Sequence, residues 1–157
     1  MTAALFYAQV LRLLLAMMSV PGPAALADSR LAIAESIVRA GATEREQEWL
    51  AAVAYRESGF RVDAVGDHGG SFSAFQIHLP HGAKTAEGWT GPELCADPER
   101  AAVVALRMMR ESFSACAWLP EGERLAAYAR GSCGSVQGQR LSRDLDAVRR
   151  RMFGGAR

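Results

Sequence analysis

One carboxyl group in this sequence stands where its surroundings would change its chemistry. Glu57 follows Val53 by one helical turn, so it continues the apolar face of the helix predicted over residues 43–58, near that helix's carboxyl end. Burial and the negative end of the helix dipole both disfavour a charged carboxylate. A carboxyl that keeps its proton near neutral pH is what general acid catalysis requires. The alternative is a structural ion pair of Glu57 with Arg56 or Arg61.

Three short motifs accompany this glutamate. The dipeptide E-S at residues 57–58 precedes a stretch rich in glycine and serine, which ends in S-A-F-Q-I at residues 73–77. A-Y-A-R-G follows at residues 127–131, after a helix predicted over residues 97–116. In this order the motifs resemble those of the lytic transglycosylases and goose-type lysozymes, whose patterns are E-S, G-L-M-Q-I and A-Y-N-A-G. The resemblance spans roughly residues 43–135.

The resemblance implies a lysozyme-like domain whose substrate is the glycan strand of peptidoglycan. Glu57 would donate a proton to the oxygen of the β-1,4 bond between N-acetylmuramic acid and N-acetylglucosamine. Structural alternatives remain open, with Gln76 as a buried amide that satisfies its turn and Phe75 and Tyr128 as core aromatics. The asparagine of A-Y-N-A-G is Ala129 here, so one polar contact of the family is missing. The residues that the resemblance assigns to sugar binding are Ser58, Phe75, Gln76 and Tyr128.

A second carboxylate decides which reaction follows. The run G-D-H-G at residues 66–69 aligns best with the goose-type lysozymes, where the aspartate helps to place a water molecule, so Asp67 is the candidate base. That family's second aspartate is His78 here. An acid with a distant carboxylate base gives hydrolysis with inversion. Without a working base, the C6 hydroxyl of the sugar closes on C1 and leaves a 1,6-anhydro end.

We therefore expect a lytic transglycosylase. A goose-type lysozyme-like hydrolase and a non-catalytic glycan-binding module are the alternatives. For Asp67 the structural alternative is a turn cap, because aspartate before glycine is common in turns.

The elements that must position these residues are mostly helical. We expect an α+β fold, predominantly helical and lysozyme-like, in which a small β/loop element within residues 59–92 forms one wall of the cleft. The apolar spacing and the capping residues predict helices over residues 28–41, 43–58, 97–116, 123–130 and 142–153.

The first 27 residues are typical of a signal peptide. They contain no acid and one base, Arg12, and they end in A-L-A at residues 25–27. We predict that residues 28–157 form the mature lysozyme-like domain, exported to the periplasm or secreted, with no stable membrane span. A membrane anchor over residues 1–20 would place Arg12 inside the bilayer, at a cost of a few kcal/mol. A buried first helix is the third alternative.

Composition limits the partners. The chain has 157 residues, of which 50% are hydrophobic and 22% charged, with a formal net charge of +1, so we expect one globular domain that binds no nucleic acid. The expected partner is the peptidoglycan strand, and targeting to a cell-wall site would come from a protein partner or from the arginine-rich tail. We expect no cofactor and no metal, because H-x-x-H at residues 78–81 has no further ligands to complete a zinc site. The arginine-rich segment 140–157 is either a solvated face or a contact to an anionic polymer.

Three cysteines in an oxidising compartment predict one disulfide and one free thiol. We favour Cys116 with Cys133, because this bridge would tie a helix end to the next segment. The pairings that involve Cys95 stay open.

Overall fold

Helices make up most of the chain. The computed structural model describes residues 1–23 and 26–154, and within these residues it contains seven α-helices and one small sheet. The fold is therefore α+β and predominantly helical, as predicted. The helices are α1 (Ala3–Met18), α2 (Ala27–Arg39), α3 (Glu44–Ser58), α4 (Gly91–Ala96), α5 (Pro98–Ala115), α6 (Ala126–Arg130) and α7 (Val136–Phe153).

The sheet follows α3 directly and consists of three short antiparallel strands. These are β1 (Val65–Gly66), β2 (Ser71–Phe72) and β3 (Ile77–His78), in the order β1-β2-β3. Ser71 pairs with Gly66 on one side and with His78 on the other. The predicted β element is thus present, and it is short because turn residues interrupt it.

Helix α3 is the central element. Its residues 49–54 are all buried, and it packs against α1, α2, α5 and α7. A capping box begins it: Glu46 accepts a hydrogen bond from the Thr43 N–H at 2.7 Å, and the Thr43 hydroxyl accepts from the Glu46 N–H at 3.4 Å. Gly59 ends it in the left-handed conformation, with φ of 61°. The predicted helix over residues 43–58 is confirmed.

Glu46 also joins α3 to α5. Its carboxylate accepts two hydrogen bonds from Arg110, at 2.7 and 2.9 Å. These bonds, together with those from Thr43, lower the pKa of Glu46 to about 2. The carboxylate therefore stays charged throughout the neutral range.

Helix α1 packs on this core. Val10, Leu13 and Met17 are buried, and Arg12 donates to the carboxylate of Glu48 at 3.3 Å. Glu48 has a second partner, since Arg149 of α7 donates to it at 2.9 Å. The predicted signal peptide thus forms a docked helix, and its removal stays a prediction. Ala25, within the predicted cleavage motif, lies outside the described residues.

The outward face of α1 is apolar. Along the described chain, no helix combines the length and the hydropathy needed to cross a membrane. The exposed apolar side chains of α1 are Leu5, Tyr7, Leu11, Leu15 and Met18.

Two helices differ from the prediction in extent, and a third was missed. Helix α7 begins at Val136 rather than at residue 142, because the Ser135 hydroxyl caps it by accepting from the Gly138 N–H at 3.0 Å. The helix predicted over residues 123–130 begins later, at Ala126, because a 3-10 turn at Glu121–Glu123 precedes the short α6. Helix α4 was not predicted, although a Thr90–Glu93 capping box marks its start.

The arginines of α7 bind carboxylates of the same domain. Arg143 pairs with Glu123, while Arg149 and Arg150 pair with Asp146. Residues 155–157 of the arginine-rich segment lie outside the described part of the chain. Arg143, Arg149 and Arg150 therefore belong to the intramolecular ion-pair network.

A disulfide joins Cys116, at the end of α5, to Cys133, in the loop before α7, as predicted. Cys116 is fully buried, whereas Cys95 is a half-buried free thiol. The bridge closes a loop with a sequence separation of 17 residues around α6.

We expect the change Cys133→Ser to lower the free energy of unfolding by about 3 kcal/mol, because the cross-link restricts the unfolded chain. Urea unfolding of the oxidised protein measures this. Cys95→Ser is the matched control and should leave stability nearly unchanged. Equal stability of the Cys133→Ser variant and the wild type would contradict the expectation.

Candidate active site

Glu57 lies in the last turn of α3, and its side chain is exposed. The expectation that it would be buried is wrong. The buried stripe of α3 passes from Ala54 to Ser58 at the helix end, which turns Glu57 outward. The carboxyl therefore lies at the surface, where a polymer can reach it.

The pKa of Glu57 is nevertheless raised. Desolvation by the surrounding protein is the largest cause, and the negative charge of Asp67 acts in the same direction. The positive charges of Arg56 and Arg130 oppose the shift. The Glu57 side chain is exposed and its carboxyl is still desolvated, because surrounding protein atoms replace part of the water that would stabilise the negative charge. Glu57 thus holds its proton to higher pH than an ordinary glutamate, as a general acid requires.

Tyr128 of α6 lies close to this carboxyl. Its hydroxyl donates to the Phe75 carbonyl at 3.1 Å, and its backbone N–H donates to the Ser112 hydroxyl at 3.0 Å. Burial, and after it the charge of Glu57, raise the pKa of Tyr128. The phenol stays neutral and contributes a fixed dipole beside Glu57.

Phe75 belongs to the core rather than to a cleft wall, since its side chain is only 1% exposed. Its link to the site is its backbone carbonyl, which Tyr128 binds. Of the two interpretations open from the sequence, the structure supports the core aromatic.

Gln76 stabilises the turn before β3. Its side-chain amide donates to the carbonyls of Ala64 and Ser73, at 3.3 and 3.1 Å, and its own φ is +48°. The amide oxygen lies against Gly66, where an added Cβ would fall 2.1 Å from it, so a larger residue at position 66 would displace the Gln76 side chain from these bonds. The structure supports the structural alternative for Gln76, an amide that satisfies its turn.

Ser58 is engaged within the end of α3. Its hydroxyl donates to the Ala54 carbonyl at 2.9 Å and accepts from the Arg61 N–H at 3.1 Å. The side chain is buried, at 9% exposure. Ser58 therefore shapes the chain that follows Glu57, and we assign it no sugar contact.

Asp67 lies in the turn between β1 and β2, with φ of +48°, and His68 beside it has φ of +54°. Aspartate and histidine adopt this left-handed region more readily than most residues with side chains, and here they form the tight turn between two antiparallel strands. The Asp67 carboxylate accepts a hydrogen bond from the buried Ser71 hydroxyl at 2.6 Å. It is thus bound by a side chain of β2.

Asp67 and Tyr128 lie within electrostatic reach of Glu57, and the structure adds two residues that sequence reasoning missed. Arg130 places a positive charge near Glu57, and Ser71 holds Asp67. Arg130 stands within A-Y-A-R-G, so its motif offered a signal. Ser71 became identifiable only with the strand register.

One groove in the described structure lies apart from this site. A groove of about 1000 Å³ between α1 and α7 is lined by arginines, among them Arg12 and Arg149, that already bind Glu48. Within residues 1–23 and 26–154, no three His, Cys, Asp or Glu side chains gather as metal ligands would. The raised pKa of Glu57 and the nearby charge of Asp67 make these two carboxyl groups candidates for proton transfer.

Comparison with protein-family models, with curated proteins and with solved structures finds no match for this chain.

The raised pKa of Glu57 predicts a stability effect with a definite sign. Above pH 4.5 the unfolded chain loses this proton more readily than the folded chain, so folding becomes less favourable as pH rises through the shifted pKa. We expect Glu57→Gln to be at least as stable as the wild type at pH 7 and to lose any advantage below pH 4.5. Urea unfolding at several pH values tests this. A variant less stable than the wild type at pH 7 would instead indicate a stabilising ion pair.

Proposed function

We propose that this chain cleaves the glycan strand of peptidoglycan at the β-1,4 bond between N-acetylmuramic acid and N-acetylglucosamine, with Glu57 as general acid. The observation that carries the proposal is the raised pKa of an exposed glutamate beside Asp67 and Tyr128. A general acid must hold its proton at the working pH and be accessible, and the raised pKa and the exposed side chain of Glu57 favour these two conditions.

The order of the elements supports a lysozyme-like domain. The acid stands at the end of a central helix, a small antiparallel sheet follows, and α6 returns to the site with Tyr128. We place the sugars across the exposed end of α3, with the turn of Asp67 on one side and Arg130 on the other. No cofactor is needed for this reaction.

The first half of the reaction is acid catalysis. Glu57 donates its proton to the glycosidic oxygen as the bond from that oxygen to C1 breaks, and positive charge develops at C1. In lytic transglycosylation the C6 hydroxyl oxygen then attacks C1, and its proton passes to the Glu57 carboxylate. A 1,6-anhydro sugar is left, no water is consumed and the acid is regenerated.

Hydrolysis is the second candidate, and the position of Asp67 favours it. In that reaction a water oxygen attacks C1 and Asp67 takes the water proton. The carboxylate of Asp67 influences the pKa of Glu57 and is bound by Ser71, so it has a defined place near the acid.

We propose that the domain acts outside the cytoplasm, where its substrate lies. The Cys116–Cys133 bridge is compatible with an oxidising compartment, and the apolar first 27 residues are compatible with export. Direct contact with the peptidoglycan strand is the only partnership this proposal needs.

The proposal is tested by incubating the full chain with purified peptidoglycan and analysing the soluble products by mass spectrometry. We expect Glu57→Gln to reduce product formation by about 10²- to 10⁴-fold, the range typical of a lost general acid. Glu44→Gln, the same substitution at the other end of α3, is the matched control and should act like the wild type.

The products identify the reaction. Anhydro-muropeptides that depend on Glu57 would establish a lytic transglycosylase, and products with reducing ends would establish a muramidase. Release of no fragment from any of several wall types would exclude catalysis and leave a glycan-binding module, which Glu57→Gln should not impair.

A further inference from the structure

Three polar side chains of the small sheet form a chain of hydrogen bonds that ends on Asp67. The Ser71 hydroxyl lies 2.6 Å from Asp67 Oδ2 and 3.4 Å from His78 Nδ1. Strand pairing brings this about, because Ser71 of β2 lies opposite His78 of β3. All three residues lie within the segment from β1 to β3, away from the ends of the chain.

The direction of each bond follows from the chemistry of its groups. A carboxylate only accepts hydrogen bonds, so the single hydroxyl proton of Ser71 goes to Asp67. The hydroxyl oxygen can then only accept from the ring, which places a proton on His78 Nδ1. Both the neutral Nδ1–H tautomer and the cation meet this need. The chain therefore runs from His78 to Ser71 to Asp67 in either charge state.

This chain fixes the carboxylate of a residue that is itself held in the left-handed region. Ser71 is only 2% exposed, so water competes little for the hydrogen bonds of its hydroxyl group, whereas His78 is exposed. Ser71 engages Oδ2 and leaves Oδ1 as the Asp67 oxygen that can accept a proton from water.

We propose that Ser71 and His78 are positioning residues that hold Asp67 as a water-orienting base, and that they thereby set the share of hydrolysis against anhydro-sugar formation. The inference rests on the proposed function. In the hydrolytic step, a water oxygen forms the bond to C1, its proton passes to Asp67 Oδ1, and the proton of Glu57 leaves with the glycosidic oxygen. The positioning residues contact neither the sugar nor the attacking water, and they act only through Asp67.

The test compares the rates at which the full chain and its variants form reducing ends and anhydro ends from the same peptidoglycan. Ser71→Ala removes one oxygen without adding volume and should lower reducing-end formation about tenfold, because a hydrogen bond to a charged group is lost. His78→Leu should lower it about threefold, since it acts one bond further away. Formation of anhydro ends, which does not use Asp67, should not fall in either variant.

Two further variants separate positioning from general damage. His78→Asn keeps a donor near the place of Nδ1 and should restore the wild-type share of reducing ends. His81→Leu removes an exposed histidine three residues further along the chain and is the matched control, with an unchanged share.

The outcomes distinguish the two proposals. Wild-type products with anhydro ends only, or equal effects of Ser71→Ala on both kinds of end, would overturn the positioning role while the proposed function stands. Absence of soluble products from the wild type would overturn the proposed function, and the positioning role with it.

Discussion

The way α3 ends is the constraint on which the candidate site depends. This helix is buried along residues 49–54, and it must stop at the edge of the core. Gly59 and Phe60 both adopt positive φ, and the Phe60 N–H returns to the Ala54 carbonyl at 3.1 Å. Phe60 is fully buried, so core packing offsets the strain of its backbone. Glu57 is thereby held in the final turn, outside the core yet next to the sheet that begins a few residues later.

That sheet consists of very short strands joined by turns. Side-chain hydrogen bonds therefore stabilise it where longer strands would supply backbone hydrogen bonds. Gln76 ties two carbonyls of neighbouring segments, and Ser71 ties the turn of Asp67 to β3. From the other side, the Tyr128 hydroxyl binds the backbone of Phe75. The polar groups near Glu57 are therefore mostly occupied with one another, and this fixes their positions before any ligand arrives.

Short sequence motifs predicted where helices begin better than they predicted which side chains are buried. The Thr43–Glu46 box and Asp97 before Pro98 marked the starts of α3 and α5, because capping needs only a few adjacent residues. Helical spacing alone wrongly predicted that Glu57 is buried. In the last turn of α3 fewer positions face the core, and only Ser58 is buried there. The Ser71–His78 contact depends on strand register, and the strands are too short to reveal a period. The family resemblance supplied the hypothesis for the site. The hydrogen bonds of Ser58 and the burial of Phe75 then argued against a ligand contact for either side chain.

Glu48 pairs with two arginines, one from α1 and one from α7. This second pairing matters if α1 is removed. If residues 1–27 are cut away, Arg12 leaves but Arg149 still neutralises Glu48 at 2.9 Å. Gln47 likewise loses Gln9 and Arg12 yet keeps its bond to the Ala42 carbonyl. Glu48 and Gln47 thus each keep one polar partner, and the rest of the loss falls on apolar contacts such as those of Leu13 and Met17. The order of events then matters: a leader already docked on the folded domain would be hidden from a protease, so export would have to outpace folding.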